Sequence, residues 1–287
     1  MDITTTLAQE FGLKQEYSQN IINLIDEGCT IPFIARYRKE MHGTCDDQTL
    51  RAFADRLKYL RNLNDEKAKV EKAITEQGKW TDELKVALEN AKTLTEVEDI
   101  YRPYKPKRKT RASVAIAKGL EGLADILQAQ SKSYEIKKEA EKYLTDEVKS
   151  TAEAIQGAKD IVAERVSDNA ELRKELRLLL ENKAFITCEL VENENSPTYE
   201  TYAGFKQEVK NIPSHRILAI NRGEKEKCLK VNIEINPDLT MAVINKHFKK
   251  NNPDTDSLME ETLQDAYDRL LFPALERECR NNLTDKA

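Results

Sequence analysis

The chain packs Lys105, Lys107, Arg108, Lys109 and Arg111 into seven positions of the stretch Arg102-Pro-Tyr-Lys-Pro-Lys-Arg-Lys-Thr-Arg111. Pro103 and Pro106 oppose a helix there, so the spacing predicts an extended, solvated loop whose five cations can meet phosphates, with Tyr101 and Tyr104 near enough in sequence to offer stacking. A solvated turn is the competing reading, its cations paired with Glu96, Glu98 and Asp99 just upstream. Pro106 to Lys109 also mimics a nuclear import signal. A second cluster, Arg36, Arg38 and Lys39, follows the apolar run Ile31-Pro-Phe-Ile-Ala35. It forms a weaker phosphate-binding candidate, against which stands pairing with Asp46 or Asp47.

Other chemistry finds little support. No glycine-rich phosphate cradle or dinucleotide fingerprint occurs, so no cofactor is expected. His42, His215 and His247 stand apart from one another and from any cysteine at metal spacing, so no metal is expected either. The carboxylate pairs Asp46-Asp47, Glu96 with Asp99, and Glu260-Glu261 read as solvated helix starts or faces in a chain this acidic. With no nucleophile, base and orienting group to name together, no catalytic residue and no enzyme are expected. Asn282-Leu-Thr284 fits a glycosylation acceptor but lacks a secretory context.

The elements that must carry these residues follow from composition and periodicity. In 287 residues, 34% are charged and 6% aromatic, with 9 glycines and 8 prolines, which favours charge-laced helices. The formal net charge of -5 excludes a surface that attracts polyanions everywhere, so any such contact is local. Five cysteines without paired spacing predict free thiols, and no apolar run reaches membrane length. The expectation is a soluble, cytoplasmic protein without a membrane partner.

Ser18 is expected to cap a helix of Ile21, Ile22, Leu24 and Ile25 that Gly28 ends, and Pro32 opens the next, with Phe33, Tyr37 and Met41 on one face and Gly43 as its stop. From Asp46 to about Gln77 neither glycine nor proline intervenes, predicting the longest helix around Leu50, Phe53, Leu57 and Leu60. Thr81 and Thr95 start two shorter helices. Residues 112–182 continue as helices, one with Ile155, Ile161 and Val162, the next with Leu172, Leu176 and Leu179. Strands follow at Phe185 to Val191 and Leu229 to Ile235, the second with clear alternation. Between them Arg216 to Asn221 reads as a short helix closed by Gly223. The tail from Ser257 to about Leu283 is helical with a kink at Pro273, while Asn193–Pro197 and Asn251–Asp256 read as loose linkers. The fold class is mainly α, a multi-helical array of residues 1–182 followed by a small α+β region, 183–287.

Four segments, in order, carry a resemblance: Ile31 to Glu40, Thr95 to Tyr101 with Pro103 to Ala112, Ala158 to Arg165, and Ile212 to Arg216. They resemble the Tex family of bacterial transcription accessory proteins. The likeness runs from about residue 7 to 280 and departs from the family pattern at Met41 to Cys45 and at Arg102. Family members are more than twice as long, continuing into an RNase H-like domain, helix-hairpin-helix elements and a C-terminal OB-fold that binds RNA. The resemblance implies an N-terminal region with a helix-turn-helix-like element, ending before an absent RNase H-like domain, from a non-enzymatic factor. Its implied partners are nucleic acid, RNA ahead of DNA and mainly through the missing domains, and the transcription machinery. Contact by the basic loop is inferred from charge alone, as an auxiliary; the alternative is a protein–protein interaction scaffold that does not touch nucleic acid.

Overall fold

The computed structural model describes all residues except Met1, Thr44, Lys107, Arg108, 132–134 and Asn251. The described chain is mainly helical with one small antiparallel sheet, and it divides into two compact units, Met1–Tyr104 and Lys105–Ala287.

The first unit contains α1 (Ile3–Glu10), α2 (Gln15–Asp26), α3 (Ile31–Tyr37), α4 (Lys39–His42), α5 (Asp47–Glu76), α6 (Asp82–Asn90) and α7 (Leu94–Tyr101). α5 is its spine. Thirty residues span about 45 Å at the standard helical rise, and Leu50, Phe53, Leu57, Leu60, Leu63, Val70 and Ile74 form one buried stripe along it. Against that stripe pack Leu7, Ile21, Ile34, Leu88 and Val97 from the shorter helices.

Caps explain the boundaries. Asp46 accepts the Thr49 N–H at 2.7 Å and starts α5, and Thr81 starts α6. α7 begins at Leu94, one residue ahead of the expected Thr95, because Thr93 and Glu96 form a reciprocal capping box. Ser18 caps nothing: it is buried within α2, and its hydroxyl donates to the Thr4 carbonyl at 2.9 Å. The helix expected from Pro32 to Gly43 is broken at Arg38, whose φ of -130° leaves the helical region.

The second unit holds α8 (Arg111–Ala117), α9 (Glu121–Ala129), α10 (Ile136–Glu141), α11 (Thr151–Ser167), α12 (Ala170–Lys183), β1 (Phe185–Leu190), β2 (Phe205–Glu208), α13 (Ser214–Lys225), β3 (Leu229–Glu234), α14 (Pro237–Phe248), α15 (Pro253–Asp265) and α16 (Phe272–Asp285). The sheet runs β2-β1-β3, with Phe185 opposite Glu234 and Leu190 opposite Leu229. Leu229, Val231 and Ile233 face inward and the alternate residues face water, as the period of two predicts. On that wet face Lys230 pairs with Glu189 at 3.2 Å and Lys206 with Glu234 at 2.9 Å. Leu172, Leu176 and Leu180 share a core with Ile186, Cys188 and Ile233, so the change from helix to strand at residue 183 falls inside this unit.

Several local expectations are corrected here. Gly223 lies within α13 rather than ending it, and a side chain there would press on Leu229 and Tyr199 at 2.6–2.9 Å. Residues 193–197 lead into a 3-10 turn, Ser196–Tyr202, that buries Ser196 and Tyr199. Asn252 caps α15 and, fully inside, donates to the Gln130 carbonyl at 3.1 Å, so this segment is bolted down rather than loose. Where a kink at Pro273 is expected, a π-helical stretch, Ala266–Leu271, carries α15 into α16 directly ahead of the proline. All five cysteines are free thiols, and burial pushes those of Cys188 and Cys279 up to about 11 each. Among the described residues, no helix is long and apolar enough to cross a membrane.

Gly157 shows how tightly this core closes. It sits in the middle of α11, where an added methyl would overlap Leu120 and lie 3.2 Å from the Ala115 Cβ. Leu120 is 1% exposed, and its Cδ1 must shift to make room. Helix propensity favours Ala over Gly by about 1 kcal/mol, but overpacking costs about 1–3 kcal/mol. Gly157→Ala is therefore expected to lower the urea midpoint, and a raised midpoint would refute the close contact.

Candidate nucleic-acid interface

The cluster Arg36, Arg38 and Lys39 lies across the junction of α3 and α4. Ile34 is the sole buried residue of seven-residue α3, anchoring it to α5. Buried His42, at the end of α4, has its Nε2 3.1 Å from the Ile34 carbonyl, the same oxygen that accepts the Arg38 N–H at 3.1 Å. These bonds clamp the junction and leave Phe33, Arg36 and Tyr37 facing outward.

The aromatic residues are the surprise of this face. Fourfold spacing puts Phe33 and Tyr37 together, yet they are 38% and 57% exposed instead of forming a core stripe. Their ring centroids are 5.4 Å apart with planes tilted by 45°. The Arg38 guanidinium lies 5.4 Å from the Phe33 centroid and that of Arg36 lies 6.0 Å from the Tyr37 centroid, within cation–π range. The signal that identifies this face is the break at Arg38, which ends the helical phase before Met41 can extend the stripe.

The structure overturns the pairing of these cations with Asp46 or Asp47. Asp46 is occupied as the α5 cap, where the Thr49 N–H holds its carboxyl below the usual carboxylate range. Asp47 pairs with Arg51 at 2.7 Å. Elsewhere in this unit Arg56 binds Glu10 and Arg61 binds Asp26 through two bonds each, at 2.7–2.8 Å. Among the described residues, no carboxylate lies within ion-pair distance of Arg36, Arg38 or Lys39, so this corner carries local positive charge on an anionic protein.

The Pro-rich loop offers a different picture. Arg102 to Tyr104 form a 3-10 turn. Tyr101 and Tyr104, expected as stacking residues, are half-buried and pack against the first unit's core. Lys105 is already engaged, as are Arg102, Glu96, Glu98 and Asp99. Lys107 and Arg108 lie outside the described residues. Lys109 is exposed, and exposed Arg111 opens α8 behind the Thr110–Ser113 capping box. Asp265 is held below the usual carboxylate range first by its hydrogen bond from Arg269, with the charge of Arg111 adding to it. A cavity of about 370 Å³ beside Lys109 and Arg111 also presents Glu153 and Asp160, the former bonded to Lys118 at 2.7 Å. Carboxylates thus temper this end of the loop. The two basic segments belong to different units.

Among the described residues, no group of three or more His, Cys, Asp or Glu side chains is placed to hold a metal ion. The features of this surface are charge and exposed rings.

Residues 1–75 match the family model described as Tex-like protein N-terminal domain, and residues 131–287 match that described as Tex central region-like. The chain is 41% identical over 287 residues to YdcI of Bacillus subtilis (strain 168), covering 98% of this chain and 40% of that protein. It is 37% identical over 297 residues to the transcriptional accessory protein Tex of Neisseria gonorrhoeae, covering 100% and 39% of the two chains. A human protein named for its S1 RNA-binding domain is 29% identical over 305 residues, covering 100% of this chain and 30% of the relative. The chain thus spans well under half the length of these curated relatives. Two models of one family, matched in order and together taking in most of both units, contain three of the four segments first noted, Ile31 to Glu40, Ala158 to Arg165 and Ile212 to Arg216, and the chain belongs to the Tex family.

Proposed function

We propose that this chain is a non-catalytic helical part of a nucleic-acid-associated transcription accessory protein and that it contacts the polymer itself, as an auxiliary to regions beyond this sequence. The observation that carries the reading is the α3–α4 junction, where Arg36, Arg38 and Lys39 project without an intramolecular carboxylate partner among the described residues. Phosphates are the complementary charge, and a local patch escapes the repulsion that a net -5 protein exerts as a whole. The names of two relatives, a transcriptional accessory protein and a protein with an S1 RNA-binding domain, support the same class of function. They also favour RNA over DNA as the polymer.

The loop residues Lys105, Lys107, Arg108, Lys109 and Arg111 form the second proposed contact. Lys105 and Arg111 contribute less than their number suggests, because each already interacts within the chain.

Salt dependence tests both contacts. For single strands each phosphate neutralised adds about 0.7 to the slope of log affinity against log salt. Replacing Arg36, Arg38 and Lys39 by Gln should flatten the slope by about 2, and replacing the five loop cations should flatten it by up to about 3.5. Unchanged slope and affinity in both variants would instead assign these surfaces to docking of other proteins.

A further inference from the structure

We propose that Phe33 and Tyr37 form a stacking platform for unpaired bases, so that the α3 face selects single-stranded nucleic acid over duplex. The inference rests on the nucleic-acid reading above and goes beyond it, since phosphate contacts alone carry no preference for exposed bases.

Three observations converge on this face. First, two adjoining rings remain 38% and 57% exposed on a helix that buries only Ile34, although the same chain buries Phe53 completely. Second, the guanidinium groups of Arg38 and Arg36 lie over those rings at 5.4 and 6.0 Å, which sets positive charge directly beside the aromatic surface. A base has two π-faces and a phosphate on each side, so it can stack on a ring while neighbouring guanidinium groups take its phosphates. Third, no carboxylate pairs with Arg36, Arg38 or Lys39 among the described residues, so the charge beside the rings is available to an anionic ligand.

Shape then decides which polymer form fits. In a duplex the base faces are covered by their neighbours and only edges and backbone are offered, whereas a single strand can splay its bases onto aromatic side chains. The rigidity such a platform needs is supplied by buried His42, 1% exposed, whose ring nitrogen is 3.1 Å from the Ile34 carbonyl. An acidic peptide would match the charge but would not use the two exposed rings.

The experiment measures fluorescence anisotropy of the full 287-residue chain with a labelled oligouridine and with an RNA duplex of the same length, across a salt series. The variants are Phe33→Ala with Tyr37→Ala, and Phe33→Tyr with Tyr37→Phe, which retains both rings. Both positions are exposed, and circular dichroism checks that the fold is intact. The alanine pair should weaken oligouridine binding about tenfold or more with the salt slope unchanged, while duplex affinity stays at the parental value. The ring-retaining pair should bind as the parent does. If the parent binds RNA and the alanine pair binds oligouridine equally well, or loses both ligands equally, the platform is overturned and the charge-based reading stands. If the parent binds neither ligand at any salt, both proposals fall and the face belongs to a protein partner.

Discussion

Glu278→Gln is expected to destabilise the protein by about 3 kcal/mol, the lower end of the range for breaking a buried ion pair by removing one partner, since the Glu278 side chain is 25% exposed. Arg173, on α12, is completely buried, and its guanidinium is bonded to Glu278 of α16. Arg177, one turn further along α12, approaches the same carboxylate at 3.2 Å. The substitution keeps the volume and removes the charge, leaving a fully desolvated guanidinium short of the carboxylate that faces it. Replacing Arg173 by Met and Glu278 by Leu together should recover part of the loss, because the fully buried guanidinium is removed with the carboxylate, while Arg177, 14% exposed, still loses its bond to Glu278. The double-mutant cycle, read from urea unfolding by circular dichroism, should therefore be strongly non-additive. Additive single losses below about 1 kcal/mol would place the pair's contribution on a par with surface ion pairs.

Phe53→Ala should cost the first unit about 3–5 kcal/mol. Its side chain is 0% exposed on α5, with its ring 5.3 Å from that of Phe11, so truncation leaves a cavity beneath the helices that carry α3. The chain has a single tryptophan, Trp80, which is partly buried against this same core and makes a local probe. Its fluorescence transition should move to markedly lower urea in Phe53→Ala, and less so in Phe53→Leu, which refills much of the volume. A transition that stays at the parental midpoint would show that the space closes without loss of packing.

Much of this architecture can be read from local rules. Leu50, Phe53, Leu57 and Leu60 recur at helical spacing, and α5 is indeed the longest helix, because periodicity and the absence of Gly and Pro act along one segment. Leu229, Val231 and Ile233 alternate as an inward strand face for the same reason. By contrast, neither β2 nor α14 is expected from the sequence, because β2 is only four residues long and packing against distant elements supplies the order. Asn252 illustrates this: its side chain reaches a carbonyl 122 positions away in sequence, a bond that no spacing rule foresees.

Sequence alone determined the class of the protein, the existence of its two cationic segments and the family they mark, since charge, proline and periodicity are properties of neighbours in the chain. Tertiary structure decided which of those charges remain available. Lys105 is engaged and Asp47 is taken by Arg51, whereas Arg36, Arg38 and Lys39 sit beside exposed rings with no intramolecular counter-ion among the described residues. The physical reason is that ion pairs and burial depend on distances between helices, and those distances are set when apolar stripes find one another.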